Sequence, residues 1–262
     1  MSFPSLWLAA LPALLAFALA SWAIATARRN VGLVDVFWSL FFLLAALVYA
    51  AAAPATPARA TLVLALVAPW SLRLSAYLAA RNWSAPEDRR YRAIRARHEP
   101  GFAWKSLFLV FWLQALLAWL ISAPLAAALA SPAPLGLLDA LGALVVGFGA
   151  AFETVADTQL ARFKADPAHA GRVMDRGLWA TTRHPNYFGE FCVAWGFYLV
   201  ALGAGAWWTL FAPALMSLLL LRVSGVTLLE KDIAERRPAY RDYAARTNAF
   251  FPGPRRRVSG TG

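Results

Sequence analysis

Apolar runs of about 20 residues recur along this chain with only short polar connections between them, and nothing else in the sequence constrains the fold as much. A helix rises 1.5 Å per residue, so a run of that length crosses the ~30 Å of hydrocarbon in a bilayer. Backbone in lipid has no water to bond to and must satisfy itself within the helix. The runs fall at about 4–27, 31–52, 59–81, 104–124, 135–156, 186–203 and 206–229. They predict an all-α polytopic membrane protein with seven transmembrane helices. The prediction is a single membrane-embedded domain over 1–262, with a cytoplasmic C-terminal segment at 230–262. Composition agrees: 60% of residues are hydrophobic, 15% are charged, and the mean hydropathy is +0.54. The first run has no basic region ahead of it and is too long for a signal peptide, so it reads as a retained span.

Seven spans place the loops after spans 1, 3 and 5 on the same side as the C-terminus. Those four segments carry 23 of the 25 Lys and Arg residues; only Arg59 and Arg73 are left over. The positive-inside rule then puts them in the cytoplasm and the N-terminus outside. This asymmetry accounts for most of the +11 formal charge without a nucleic-acid partner. The opposite connections, such as Ser122 to Pro134, are short and nearly featureless, so function is expected on the cytoplasmic side. One cysteine, Cys192, excludes an internal disulfide and a Cys-x-x-Cys pair. His98, His169 and His184 are too scattered to form a metal site, and none is expected. The residues call for no obligate protein partner beyond membrane lipids.

Polar residues inside apolar runs are costly and therefore informative. Asp35 lies about one turn into span 2, with Trp38 and Ser39 on its face. It is expected to face the interior as a protonated acid, because desolvation raises a carboxyl pKa. The alternative is that it pairs with an interior arginine such as Arg73, purely for assembly. In span 3, Arg73, Tyr77 and Arg81 recur every four residues and form one polar stripe. The following loop reads Glu87-Asp-Arg-Arg-Tyr91, then Ile94-Arg-Ala-Arg97. This is either an amphipathic helix lying on anionic headgroups or a clamp in which Arg90 and Tyr91 grip an adenosine phosphate. At the end of span 5, Glu153 and Asp157 share a face. They are placed either to bond ribose hydroxyls or to balance Arg162 and Lys164. Beyond span 7, Arg237 to Pro252 mixes tyrosines, arginines and an apolar end, and reads as a segment folded back on the cytoplasmic face.

The densest polar-aromatic block is Arg176-Gly-Leu-Trp-Ala-Thr-Thr-Arg-His-Pro-Asn-Tyr-Phe-Gly-Glu190. Pro185 suits the first position of a helix, which makes His184 the cap. Free N–H groups at a helix start beside Arg183 make an anion site, so a phosphate-bearing cofactor is expected here at the edge of the membrane.

Taken together, Gly177-Leu-Trp and Arg183-His-Pro-Asn-Tyr-Phe-Gly-Glu190, with Gly32-Leu-Val-Asp-Val-Phe-Trp38 and Glu87-Asp-Arg-Arg-Tyr91, resemble the bacterial branch of the steroid 5-alpha-reductase family. The resemblance covers nearly the whole chain and is strongest in its last 110 residues. It implies an inner-membrane enzyme that takes hydride from NADPH and reduces the 4,5 double bond of a 3-oxo steroid or a related lipid enone. By the same resemblance Asp157, Lys164, Asn186, Glu190 and Arg222 are cofactor contacts; Arg183, His184 and Tyr187 of the helix-start block and Asn82, Arg90 and Tyr91 around the end of span 3 complete the candidate cofactor-binding set from the residues themselves. Asp35 falls where the family carries the acid that bonds the substrate carbonyl. Two positions depart from the family: it has glutamate in place of Asp35, and a tyrosine where this chain has Trp70. An indole donates a hydrogen bond but delivers no proton at neutral pH. Beside Trp70, the candidates for the second donor are therefore Tyr77 and Tyr187.

A neutral acid aimed at the carbonyl oxygen would stabilise the enolate formed by hydride addition, most effectively where water is excluded. Two rival readings stand beside this one. Membrane methyltransferases of the isoprenylcysteine and phospholipid type carry a similar Arg-His-Pro-x-Tyr-x-Gly block around S-adenosylmethionine, followed by a Glu-Glu pair that here is Glu230-Lys231. A carrier whose basic loops merely sit on phospholipid would leave Asp35 and Glu190 without a role.

Overall fold

In the computed structural model the described residues are 2–53, 57–223, 230 and 238–256. The end of the seventh apolar run, Lys231 and the residues from 257 onward lie outside them. Among the described residues the fold is all-helical, with one isolated parallel bridge, Thr182 to Asn248. The helices are α1 (Phe3–Ala27), α2 (Val34–Ala52), α3 (Pro57–Asn82), α4 (Arg89–His98), α5 (Phe102–Ile121), α6 (Ala123–Ala130), α7 (Leu137–Ala165), α8 (Pro185–Gly203), α9 (Phe211–Leu218) and α10 (Ala239–Arg246). Five of them, α1, α2, α3, α5 and α7, are long and apolar enough to cross a membrane. Their outward residues are apolar as well: α7 exposes Leu137, Leu141, Leu144 and Phe148 along one face. A soluble helix would carry polar side chains there, so this is an integral membrane architecture. The sixth run, α8, is not among the five. The seventh changes winding along its length, from a 3-10 turn at Trp207–Leu210 through α9 to a π turn at Leu219–Val223.

Three sequence expectations need correction. The connection from Ser122 to Pro134 is not featureless, because it holds α6, whose residues Ala123 to Leu129 are all buried. The fifth run does not stop near 156; α7 continues to Ala165, so Arg162 and Lys164 lie on the helix and not in a loop after it. Charged residues in the last turns lower the hydropathy without breaking the helix. Asp35 does not face the bundle interior: it is 24% exposed and accepts from Arg90 and Tyr91. A 3-10 turn, Val31–Leu33, comes first, and Asp35 is the second residue of α2.

The chain divides into two compact units. The first comprises Met1–Ala140 and Tyr198–Ala212, the second Leu141–Phe197 and Pro213–Gly262. In the first unit α2 is central, packed against α1 and α3 with α5 and α6 beside it. The inward stripe of α1 is Leu6, Ala10, Leu14, Ala18, Ser21 and Ala25, where small residues let the backbones approach. Near one end of α1, Trp7 and Trp119 stack with centroids 4.1 Å apart. Each indole N–H donates to the other's carbonyl, at 3.0 and 2.8 Å. Arg59, fully buried, is paired with Asp139 at 2.8 Å and also donates to the carbonyls of Ala133 and Pro134. Asp139 in turn accepts from the Gly136 N–H, so this ion pair ties α3 to the start of α7.

In the second unit α7 and α8 cross at two glycines. A Cβ on Gly189 would lie 2.6 Å from the Gly149 carbonyl oxygen and 2.7 Å from the Glu153 Cβ. The C-terminal segment folds back on the loop before α8. Thr182 Oγ1 donates to Phe250 O at 2.7 Å, the Arg183 N–H to Asn248 O at 2.9 Å, and the Gly253 N–H to Thr181 O at 3.1 Å.

Candidate functional site

In the first unit, two stretches about 55 residues apart in sequence meet at the start of α2. Asp35 Oδ1 accepts from the Tyr91 hydroxyl at 2.6 Å, and Oδ2 accepts from Arg90 Nη2 at 3.1 Å. Asp88 caps α4 through the Arg90 N–H and also holds Arg90 Nε at 2.9 Å. Glu87 accepts the Val31 N–H at 2.8 Å and a bidentate pair of bonds from Arg95. Gly32 is needed for this closeness, since a Cβ there would come within 3.1 Å of the Tyr91 ring and of Asn30 Oδ1. Asp35 therefore sits 24% exposed at the rim of the bundle, facing a guanidinium and a phenol.

The electrostatics follow from these contacts. Burial, and then the negative charge of Asp35, hold the Tyr91 phenol well above its usual range, so it stays a proton donor. Burial works to raise the Glu87 and Asp88 carboxyls, but Arg95 and the Val31 N–H lower the first, and Arg90 lowers the second. The net direction is down for both. Nearby, Tyr77 lies under the Arg81 guanidinium at 5.5 Å, and Arg81 Nε donates to Asn82 Oδ1 at 2.9 Å. Trp70 is buried against Phe42 at 5.8 Å, and Phe42 packs on Trp38 at 5.2 Å.

In the second unit α8 opens at Pro185, with the His184 carbonyl accepting the first helical bond from the Phe188 N–H. The residue at the centre is Glu230. Arg183 grips it with Nε at 2.7 Å and Nη2 at 2.8 Å, His184 Nε2 lies 2.8 Å from Oε1, and the Tyr240 hydroxyl donates at 3.1 Å. Arg183 Nη1 donates to the carbonyls of Ala244 and Thr247, both at 2.9 Å. Four of the five N–H donors of Arg183 are thus committed inside the protein. Burial raises the Glu230 carboxyl, but the bonds from His184 and Arg183 outweigh it and bring it down to about 2. Burial, then the Glu230 charge, raises the Tyr240 phenol.

Around this hub, Tyr187 stacks on the His184 ring at 5.7 Å, Asn186 is half-buried, and Glu190, Glu153 and Asp157 are buried. Lys164 and Arg222 are exposed near the ends of their helices. The Gly177-Leu-Trp stretch is latched to α7 by the Leu178 N–H on Gln159 Oε1 and by Trp179 Nε1 on Ala156 O, both at 3.0 Å. Gly177 has φ +57, and a Cβ there would lie 2.5 Å from the Gln159 side chain.

Of the predicted site residues, the structure brings Asp35, Arg90 and Tyr91 together in one cluster, with Trp70 in the aromatic ladder of α2 and α3, and Tyr77 and Asn82 at the end of α3. It gathers Arg183, His184 and Tyr187 around the helix start in the second unit. Glu230, which the sequence marked only as half of a Glu-Lys pair, organises that start. Two basic residues side by side at Arg183-His184 were the signal that an acid had to answer them.

Arg183, which the sequence offered to a phosphate, is committed instead to Glu230 and to two backbone carbonyls, so of the basic residues named for a cofactor in this unit Lys164 and Arg222 are the exposed ones. Fold and site thus define a helical integral membrane protein with polar clusters built at helix starts. A model of the family described as protein of unknown function (DUF1295) matches residues 21–247, and the chain belongs to that family. No curated protein and no solved structure matches the chain.

Proposed function

We propose that this protein is a seven-span membrane reductase that uses NADPH to reduce the carbon–carbon double bond of a lipid enone, a 3-oxo-delta-4 steroid being the model substrate. One observation carries the reading: the Tyr91 hydroxyl donates to Asp35 across 2.6 Å at the start of α2. The Tyr91 O–H, held in place by Asp35, is the donor that would turn to a substrate carbonyl oxygen as negative charge develops there. NADPH, when bound, supplies the hydride. In the second unit Asn186, Tyr187, Glu190, Asp157, Lys164 and Arg222 are the candidate contacts for it. Arg183 and His184 serve chiefly by holding Glu230 and, through it, the start of α8. Asn82, Arg90, Tyr77 and Trp70 are candidate neighbours of the Asp35 cluster. The same reading places the basic loops in the cytoplasm, the N-terminus outside and the protein in a bacterial inner membrane.

Methyl transfer from S-adenosylmethionine remains the second reading, on a specific ground. Arg183 and His184 close on Glu230, the first position of the acid pair that follows this block in membrane methyltransferases. Incubating the purified protein with NADPH and a panel of enones, with products identified by mass, separates the two. A two-hydrogen mass gain supports reduction. Thermal stabilisation by S-adenosylmethionine and not by NADPH would overturn it.

A further inference from the structure

Helix α4 has two faces. Tyr91, Ile94, Arg95 and His98 point inward, and the first and third of these hold the Asp35 and Glu87 contacts. The other face exposes Arg89, Arg92, Ala93, Ala96 and Arg97. Their spacing of three and four residues puts all five on one side of the helix. That side is cationic and flat, because the residues between the arginines are alanines.

The position of α4 says what such a face meets. It lies in the connection between α3 and α5, both of which are long and apolar enough to cross a membrane, so it sits where two spans end. Exposed indoles flank it: Trp83 is 39% exposed under the Arg28 guanidinium, and Trp104 is 65% exposed against Trp22. Tryptophan concentrates at the level of lipid headgroups, with the ring among acyl chains and the N–H towards water. Arginines just above such a belt are at the height of the phosphates.

We propose that the Arg92-Arg97 face of α4 is a docking surface for anionic phospholipid headgroups, independent of the cofactor contacts proposed above. Arginine forks suit headgroup phosphates, and the alanines let them approach. The inward face of the same helix holds Asp35 and Tyr91, so lipid on the outer face steadies the element that forms that cluster.

The test uses the full chain reconstituted in phosphatidylcholine bilayers with spin-labelled phosphatidylglycerol or spin-labelled phosphatidylcholine as probe. The wild type is expected to favour phosphatidylglycerol in its motionally restricted lipid shell. Arg92→Gln with Arg97→Gln should lower that preference about fivefold for each charge removed, and the Lys pair at the same positions should keep most of it. Equal preference in wild type and the Gln pair would overturn the proposal. Loss of preference in the Lys pair as severe as in the Gln pair would also overturn it, because charge would not be the cause. Displacement of the labelled lipid by inorganic phosphate, but not by chloride of equal ionic strength, would assign the face to soluble phosphates instead. This readout needs no turnover, so it stands or falls separately from the reductase reading.

Discussion

Glu230 accepts from Arg183, His184 and Tyr240 at once, and its response to acid follows from that grip. A glutamate carboxyl ordinarily titrates at 4.5, and this one is held at about 2 in the fold. A depressed carboxyl stabilises the folded state fully above its unfolded value and loses that contribution as pH falls through its folded value. The window is therefore pH 4.5 down to about 2, and the stability at stake is on the order of 3 kcal/mol. Thermal unfolding followed across that range should show a fall in wild type that is missing from Glu230→Gln, which starts from the lower stability. The buried Arg59–Asp139 pair behaves differently, because neither partner is solvated. Arg59→Met alone should cost about 3–5 kcal/mol by leaving a carboxylate stranded, whereas Arg59→Met with Asp139→Leu should recover most of it. Equal melting temperatures for the single and double variants would count against this account. At the Asp35 cluster, Tyr91→Phe keeps the ring packing and removes only the O–H. Enone reduction should fall roughly 100- to 1,000-fold in kcat, with cofactor-induced thermal stabilisation retained.

At the scale of elements, the α7–α8 crossing leaves no room for side chains between Gly149 and Gly189. Gly189→Ala would set a methyl 2.6 Å from the Gly149 carbonyl oxygen, with backbone and Cβ on the far side and nothing flexible to yield. Destabilisation of about 1–3 kcal/mol or more is expected from such overpacking, read as a lower unfolding temperature. The sequence showed where apolar helices lie because hydropathy averages over 20 residues and needs no partner. It did not show α6, whose alanine-rich run between two prolines looks like a linker until α1, α2 and α3 are seen to bury it. Nor did it show how the polar blocks pair. Tyr91 and Asp35 are 56 residues apart, as are Val31 and Glu87, and periodicity speaks only to neighbours along a helix. Asp35 was legible as a residue of interest; its position at the rim beside Arg90 depends on a 3-10 turn that no pattern announced.

For the whole molecule, hydropathy and charge are enough to read a helical membrane protein, while orientation rests on charge asymmetry alone. Replacing Cys192 and placing single cysteines at Ser2 and Gly171 in intact cells tests it directly. An impermeant thiol reagent should label the first and spare the second until the membrane is opened, and the reverse pattern would invert the topology. Assembly of the first unit also carries its own optical signature. Trp7 and Trp119 lie nearly parallel, 12° apart, with centroids at 4.1 Å and each indole tethered to the other's backbone. Two identical chromophores held that closely exchange excitation, so docking of α1 on α5 should produce a paired circular-dichroism band of opposite signs. Trp119→Phe should erase that couplet while ten other indoles, outside this pair, continue to fluoresce, giving insertion and folding in a bilayer an internal clock that needs neither label nor ligand.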